Sequence, residues 1–205
     1  MATLIKLNIF FLLLMILSLN HHITKSQTTD FIKAECRTTR YPTLCVQCLS
    51  NYTTTIQQSQ RQLAHAAISV SLSRAQLTAS FVYKLTKMRG VKPREIQAVK
   101  DCVVNMGDTV DQLSRSMKEL GSMRSRVAGQ DFDWHVSNVQ TWVSAALTNE
   151  NTCLDAFARS EMDGNIKVSI RRRVLGCAQL TSNALALVNR FAERHKVDAS
   201  NYISP

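Results

Sequence analysis

The chain has 205 residues and a formal net charge of +10 at pH 7. Its 45% hydrophobic content is sufficient for one domain with a real core. The positive charge favours association with an acidic polymer. Nucleic acid is a poor candidate, because the basic residues are scattered apart from Arg171–Arg173 and lack interleaved aromatic residues.

The N-terminus has the order of a secretory signal peptide. A basic start at Lys6 precedes the apolar run Leu7–Leu19, and polar residues follow. This run is shorter than the about 20 apolar residues of a membrane span, so a signal anchor is the weaker alternative. We predict cleavage after Ser26, which separates a signal peptide (residues 1–26) from an exported, membrane-free domain (residues 27–205). The removed segment contains two lysines and no acid, so the net charge falls from +10 to about +8.

A short segment, residues 29–51, precedes the long helical patterns. Cys36 and Cys45 flank a turn in which Pro42 biases Tyr41 away from helical angles. We expect a small helical hairpin that a Cys36–Cys45 disulfide closes. Asn51 begins an Asn-Tyr-Thr sequon and is the candidate glycosylation site.

Four long segments have the apolar spacing of amphipathic helices. The clearest is Arg94–Gly121, where apolar residues recur at alternating steps of three and four. The other segments are Gln57–Arg89, Asp131–Glu161 and Asn165–His195. Their connections are short, so consecutive helices should be antiparallel. The predicted fold is therefore all-α: an up-down-up-down four-helix bundle over residues 57–196, preceded by the hairpin.

The sequence contains no recognisable catalytic or metal-binding motif. A GxSxG elbow, an HExxH pair and a glycine-rich phosphate loop are all missing. The carboxylates are few, we expect them to be mostly solvated, and the predicted core stripes are apolar. These features predict a protein with no catalytic residue, no cofactor and no metal.

Six cysteines in an exported chain are expected to form disulfides. Cys102 and Cys153 fall on the second and third bundle helices, and a bridge between them would stabilise the fold by about 4 kcal/mol in the chain-entropy model. Cys45 and Cys48 form a CxxC pair, but neither a thioredoxin-like context nor a second zinc-binding half accompanies it. A further bridge between Cys48 and Cys177 stays open at this point.

Acidic residues follow both helical cysteines. Asp108 and Asp111 are three residues apart on the second helix and so share a face. Thr152 and Asp155 flank the cysteine of the third helix. Taken alone, these residues are typical of ordinary solvated surface.

Five short segments have an order and spacing that together are specific. They are Cys36-x8-Cys45 with Tyr41-Pro42, Val99–Cys102, Asp133-x8-Trp142 continuing to Thr148, Thr152–Asp155, and Leu180–Leu187. In these segments, which extend over essentially the whole mature chain, the sequence resembles the plant invertase and pectin methylesterase inhibitor family. The resemblance implies a four-helix bundle with an N-terminal hairpin and two disulfides. By that resemblance the bridges are Cys36–Cys45 and Cys102–Cys153, with Cys48 and Cys177 as free thiols.

The resemblance also implies a function. Members of this family block pectin methylesterase or invertase by forming a one-to-one complex over the enzyme's active-site cleft. In the pectin methylesterase complexes an acidic patch and a threonine face the enzyme, and the matching positions here are Asp108, Asp111, Thr152 and Asp155. A further acidic position of that patch corresponds to Val104.

Pectin methylesterase is the favoured target. The Pro-Lys-Phe motif of invertase inhibitors is missing, because Thr43 follows Pro42 and Arg94 follows Pro93. We therefore predict a secreted inhibitor of pectin methylesterase in the apoplast and cell wall. The alternatives are an invertase inhibitor, and a basic wall protein that binds demethylated pectin through Arg171–Arg173 and neighbouring basic residues without inhibiting an enzyme.

Overall fold

The computed structural model describes residue 15 and residues 23–123, 129–159, 162 and 164–203; of residues 196–203 it describes the backbone alone. The predicted signal peptide lies almost entirely outside these ranges, as does the middle of the predicted Gly121–Gln130 connection. The helices are α1 (residues 23–36), α2 (Pro42–Leu49), α3 (Thr53–Ile56), α4 (Gln60–Leu85), α5 (Pro93–Ser122), α6 (Gln130–Asp155) and α7 (Asn165–Ile203). A 3₁₀ turn, Ser50–Tyr52, precedes α3. Within the described ranges there is no strand, and no helix combines the length and apolarity that a bilayer span needs.

Helices α4 to α7 form the predicted four-helix bundle. Each packs against the next along the chain, and α7 closes the ring against α4. On α5 the buried stripe contains Val99, Met106, Leu113 and Leu120, seven residues apart, which places them on one helix face. The predicted fold class is confirmed. In this ring the pair α4 and α7 lies across the bundle from the pair α5 and α6.

Helix α4 is shorter than predicted at both ends. Gln57 and Gln58 have φ of 43° and 61°, so the helix cannot include them. It begins at Gln60 instead, because Ser59 is extended and its hydroxyl accepts a hydrogen bond from the Gln62 backbone N–H at 3.3 Å. It ends at Leu85, four residues before the predicted end at Arg89.

The connection from α6 to α7 also differs from prediction. Helix α6 ends at Asp155, not Glu161, because the chain turns so that Phe157 is buried with 1% exposure. Lys167 Nζ donates to the Ala158 and Arg159 carbonyl oxygens of this turn at 3.2 and 3.0 Å. Helix α7 continues past the predicted end at His195 to Ile203, since no proline or glycine interrupts this stretch.

The apolar spacing of the predicted helices includes Leu77, Met88 and Trp134 as core positions, but all three side chains are on the surface, Met88 with 52% exposure. Trp134 on α6 is 64% exposed and Leu77 on α4 is 68% exposed. Trp134 lies two residues from both Phe132 and Val136, which are buried, and a step of two points to the opposite side of a helix. The core on α6 therefore begins with Phe132 and not with Trp134.

Helices α1 and α2 form the expected hairpin, which packs on α7. A Cys36–Cys45 disulfide closes it with a Cα–Cα distance of 5.6 Å. The side chain of Asn183 on α7 holds the turn: its Oδ1 accepts from Tyr41 N at 3.0 Å and its Nδ2 donates to Tyr41 O at 2.9 Å. Buried Glu35 on α1 accepts from Arg194 Nη2 at 2.9 Å and from the Nε of Arg190.

Candidate functional site

The site predicted from sequence is built around the contact between α5 and α6. A disulfide joins Cys102 to Cys153 across a Cα–Cα distance of 4.6 Å, and both residues are 0% exposed. The bridge fixes the two helices side by side at this level. The side chains that flank it on the outside therefore belong to one rigid surface.

Asp108 and Asp111 are both exposed on α5. They border a groove between α5 and α4, whose other wall includes Gln76 and Ser80. Among the described residues no cation forms an ion pair with either aspartate. The two aspartates are therefore available to a partner that approaches from outside the bundle.

Thr152 and Asp155 lie in the last turn of α6, and both are exposed. The Thr152 hydroxyl donates to the Thr148 carbonyl oxygen at 2.9 Å, which leaves its oxygen to accept from a partner. Asp155 is the last residue of the helix, where the helix dipole disfavours a negative charge. Helix stability therefore does not account for a carboxylate at this position.

The structure places the four predicted residues on one side of the bundle, but in two groups. Asp155 lines a cleft between the start of α5 and the end of α6 that Asp101 also lines, whereas Asp108 and Asp111 border the groove toward α4. Asp101 was missed as a site residue, although it lies in the Val99–Cys102 segment. It precedes Asp108 by seven residues, or two helical turns, so the two carboxylates share a stripe.

Val104 occupies this same surface and is 63% exposed. An apolar side chain thus lies among the carboxylates of α5, at the position where the family resemblance implies an acid. The surface combines negative charge with one exposed aliphatic contact. A partner with basic groups could meet electrostatic complementarity and one apolar contact on this surface.

Charge is distributed unevenly over the helices. Helix α6 contains four carboxylates and neither lysine nor arginine. Helix α5 contains five carboxylates (Glu95, Asp101, Asp108, Asp111 and Glu119) and four cations (Arg94, Lys100, Arg115 and Lys118), so carboxylates outnumber cations on the two helices together. The α5 and α6 side of the molecule is therefore its acidic side, although the protein as a whole is basic.

Three carboxylates that were expected to be solvated are buried: Glu35, Glu95 and Glu150. Glu150 on α6 is 0% exposed, and its Oε1 accepts a hydrogen bond from Thr181 Oγ1 at 2.9 Å. Burial raises the pKa of Glu150 to about 7, against weaker opposing effects of hydrogen bonds from Cys177 and Thr181. Apolar periodicity gave no signal for this residue, because it occupies a core position that the pattern assigns to hydrophobic side chains.

The two remaining cysteines are free. Cys48 on α2 is half-buried and Cys177 on α7 is buried, and no bridge joins them. Burial raises the pKa of both thiols, and the neighbouring Glu150 carboxyl raises that of Cys177 further. Both are therefore poor nucleophiles. Asn51, the candidate glycosylation site, is exposed in the 3₁₀ turn, and its occupancy stays a prediction.

Among the residues with a described structure, no three histidine, cysteine or acidic side chains converge as a metal site. Two histidines interact with neighbouring side chains. His135 Nδ1 lies 2.7 Å from Glu119 Oε1, and the His195 ring stacks on Phe132 at 3.5 Å. The first interaction joins α6 to α5, and the second joins α7 to α6.

Comparison with known proteins places these features in context. The family model described as "Plant invertase/pectin methylesterase inhibitor" matches residues 30–187. The chain is 51% identical over 175 residues to "Pectinesterase inhibitor 9" and 47% identical over 173 residues to "Pectinesterase inhibitor 11", both from Arabidopsis thaliana; each alignment covers 84% of this chain and 86% of the relative. A crystal structure titled as a mutant form of a pectin methylesterase inhibitor from Arabidopsis superposes with a TM-score of 0.59 at 23% identity, covering 75% of this chain and 92% of the other. At this level of identity the similarity shows that the two proteins share a fold.

Proposed function

The chain belongs to the plant invertase/pectin methylesterase inhibitor family, and from this we propose that it is a secreted inhibitor of pectin methylesterase. The family is one of inhibitors, so the protein is not itself an enzyme. The proposal extends to a one-to-one complex over the enzyme's active-site cleft, in the apoplast and cell wall. It also includes electrostatic association with demethylated pectin.

The acidic side of the bundle is the observation that carries the proposal. Asp108, Asp111, Thr152 and Asp155 lie on α5 and α6, the two helices that a disulfide joins. Helix α6 has no lysine or arginine, and among the described residues the four cations of α5 form no ion pair with these carboxylates. A basic rim around the target's cleft would be attracted to this surface, and the rigid bundle would then exclude the pectin chain by steric blocking.

The test is a triple variant, Asp108→Asn with Asp111→Asn and Asp155→Asn. We expect the inhibition constant against purified pectin methylesterase to rise by about tenfold or more, because three interfacial charges are lost. The melting temperature should stay close to that of the parent, since all three side chains are exposed.

A matched control removes the same charge elsewhere. Asp131→Asn with Asp133→Asn and Glu193→Gln alters three exposed carboxylates near the other end of the bundle; Asp133 is about 30 Å along α6 from Asp155. This variant should inhibit like the parent. If the triple variant and the control variant inhibit pectin methylesterase equally well, the acidic side is not the contact with the enzyme. Inhibition of acid invertase and not of pectin methylesterase by the parent protein would favour the invertase branch of the family.

A further inference from the structure

The two sides of the bundle differ in charge. Helix α4 contains no aspartate or glutamate, and α7 contains none before Glu193. The carboxylates of the bundle helices are concentrated on α5 and α6, across the bundle. The molecule therefore has an acidic side and, opposite to it, a side where cations dominate.

Six exposed cations are concentrated at one end of that second side. We call them the basic surface: Lys84, Lys87, Arg89, Arg171, Arg172 and Arg173. The first three are at or just beyond the end of α4, and the others are near the start of α7, which packs antiparallel to α4. The Arg173 guanidinium lies 4.1 Å from the centre of the Phe81 ring, which fixes the level at which the two helices meet. Successive residues of a helix point about 100° apart, so Arg171–Arg173 spread positive charge around the exposed part of α7, and Arg173 is the one that faces α4.

No carboxylate among the described residues forms an ion pair with any of these six cations. Other cations of the protein have internal partners: Arg190 and Arg194 bind Glu35, and Lys167 binds carbonyl oxygens. Two of the six lie over aromatic rings, Arg173 over Phe81 and Lys87 over Tyr83, but these rings do not cancel the charge. A cluster of like charges without carboxylate partners weakens the folded state by mutual repulsion. Fold stability therefore does not explain the basic surface, whereas an external anion does.

We propose that the basic surface binds a linear polycarboxylate, namely demethylated pectin, while the acidic side holds the enzyme. The choice of polymer rests on the proposed function: removal of methyl esters by pectin methylesterase leaves carboxylates on a polymer chain. A group of cations on two neighbouring helices complements the negative charges of such a chain. Fully esterified pectin lacks those negative charges. The basic surface and the cleft of Asp101 and Asp155 are both at the end of the bundle where α4 and α6 end and α5 and α7 begin, but they lie on different helices. One inhibitor can therefore contact the polymer on α4 and α7 and the enzyme on α5 and α6.

The experiment measures binding of the secreted protein to immobilised polygalacturonate and to fully methyl-esterified pectin at low and moderate salt. The test variant is Lys84→Gln with Arg171→Gln and Arg172→Gln; Arg173 is kept because it packs on Phe81. The matched control is Lys100→Gln with Arg115→Gln and Lys118→Gln, which removes the same charge from exposed positions on α5.

We expect the parent to bind polygalacturonate in a salt-sensitive manner and to bind the esterified polymer far more weakly. The test variant should lose about tenfold in affinity and the control less than about twofold. Equal losses in the two variants would show that net charge alone drives binding and would overturn the assignment. Absence of binding by the parent would overturn it as well.

Inhibition of pectin methylesterase, measured on the same variants, separates this proposal from the previous one. The basic-surface variant should inhibit like the parent, because none of its substitutions touches the acidic side. If the parent fails to inhibit but binds polygalacturonate through the basic surface, the proposed function fails and the polymer site stands. If the parent inhibits pectin methylesterase but does not bind polygalacturonate, the proposed function stands and the polymer site fails.

Discussion

Glu150 lies inside the bundle with its carboxyl fully buried between α6 and α7. Its Oε2 has no hydrogen-bond partner among the described residues, while its Oε1 accepts from Thr181. A buried carboxylate with one oxygen unpaired is costly, and a neutral carboxylic acid is much less so. The environment therefore favours the protonated form, in agreement with the raised pKa of about 7.

This raised pKa predicts a pH-dependent stability. The folded protein holds the Glu150 proton more tightly than the unfolded chain, in which the pKa is near 4.5. The resulting stabilisation is fully present below about pH 4.5 and is lost as the pH rises through about 7, a change on the order of 3 kcal/mol. The melting temperature of the parent should therefore fall between about pH 5 and pH 8.

Glu150→Gln should flatten this fall, because a glutamine has the shape of the neutral acid and does not ionise. The measurement is a series of thermal melts across that pH range. Glu193→Gln, which changes an exposed glutamate on α7, is the control and should keep the parental slope. A parental slope in the Glu150 variant would assign the pH dependence to other groups.

At the scale of elements, the hairpin of α1 and α2 is held to α7 by polar contacts. Asn183 bonds to both the N–H and the C=O of Tyr41, and Glu35 accepts from two arginines of α7. These groups come from positions more than one hundred residues apart in the chain. Ile32, Cys36, Cys45 and Leu49 of the hairpin also belong to the buried core, so these polar contacts add to apolar packing and fix the position of the hairpin on α7.

Asn183→Ala removes both hydrogen bonds to the turn of the hairpin. We expect a loss of about 1–3 kcal/mol in the free energy of unfolding, because the Tyr41 backbone groups lose their partners. Amide hydrogen exchange in residues 29–51 should accelerate more than exchange in α5. Asn189→Ala, on the same helix, is the control, since Asn189 bonds to Gln140 of α6 and not to the hairpin. Unchanged exchange in the hairpin of the Asn183 variant would contradict this account.

At the scale of the whole molecule, the two disulfides have different consequences. Cys36–Cys45 closes a loop with a sequence separation of 9, whereas Cys102–Cys153 joins two bundle helices across a separation of 51. In the chain-entropy model these loops stabilise the fold by about 3 and about 4 kcal/mol respectively. The longer bridge also fixes α5 against α6, which carry the acidic side.

Cys102→Ser with Cys153→Ser should therefore lower the free energy of unfolding more than Cys36→Ser with Cys45→Ser. Denaturant unfolding of the two double variants measures the difference directly. Each variant serves as the control for the other, because both remove one bridge and leave two added hydroxyls. A larger loss of unfolding free energy in the Cys36 and Cys45 variant would contradict this prediction. It would mean that the hairpin bridge contributes more to global stability than the bridge between α5 and α6.

Apolar spacing and the short sequence motifs were enough to predict the four bundle helices, their order and the family. Regular apolar spacing in α5 and the scarcity of proline leave few alternatives to a bundle, because a helix with one apolar face must bury it against others. Helix ends were less certain: the left-handed backbone at Gln57 and Gln58 and the burial of Phe157 depend on contacts that periodicity does not contain.

The grouping of charged side chains into common surfaces depends on how the helices pack. Asp101 joins Asp155 at one cleft because α5 and α6 are packed side by side, although the two residues are distant in the chain. Glu150 is buried, and Lys84 and Arg172 belong to one basic surface, for the same reason. Periodicity reports which face of one helix is apolar, whereas electrostatic surfaces and buried polar pairs arise between helices and require their relative placement.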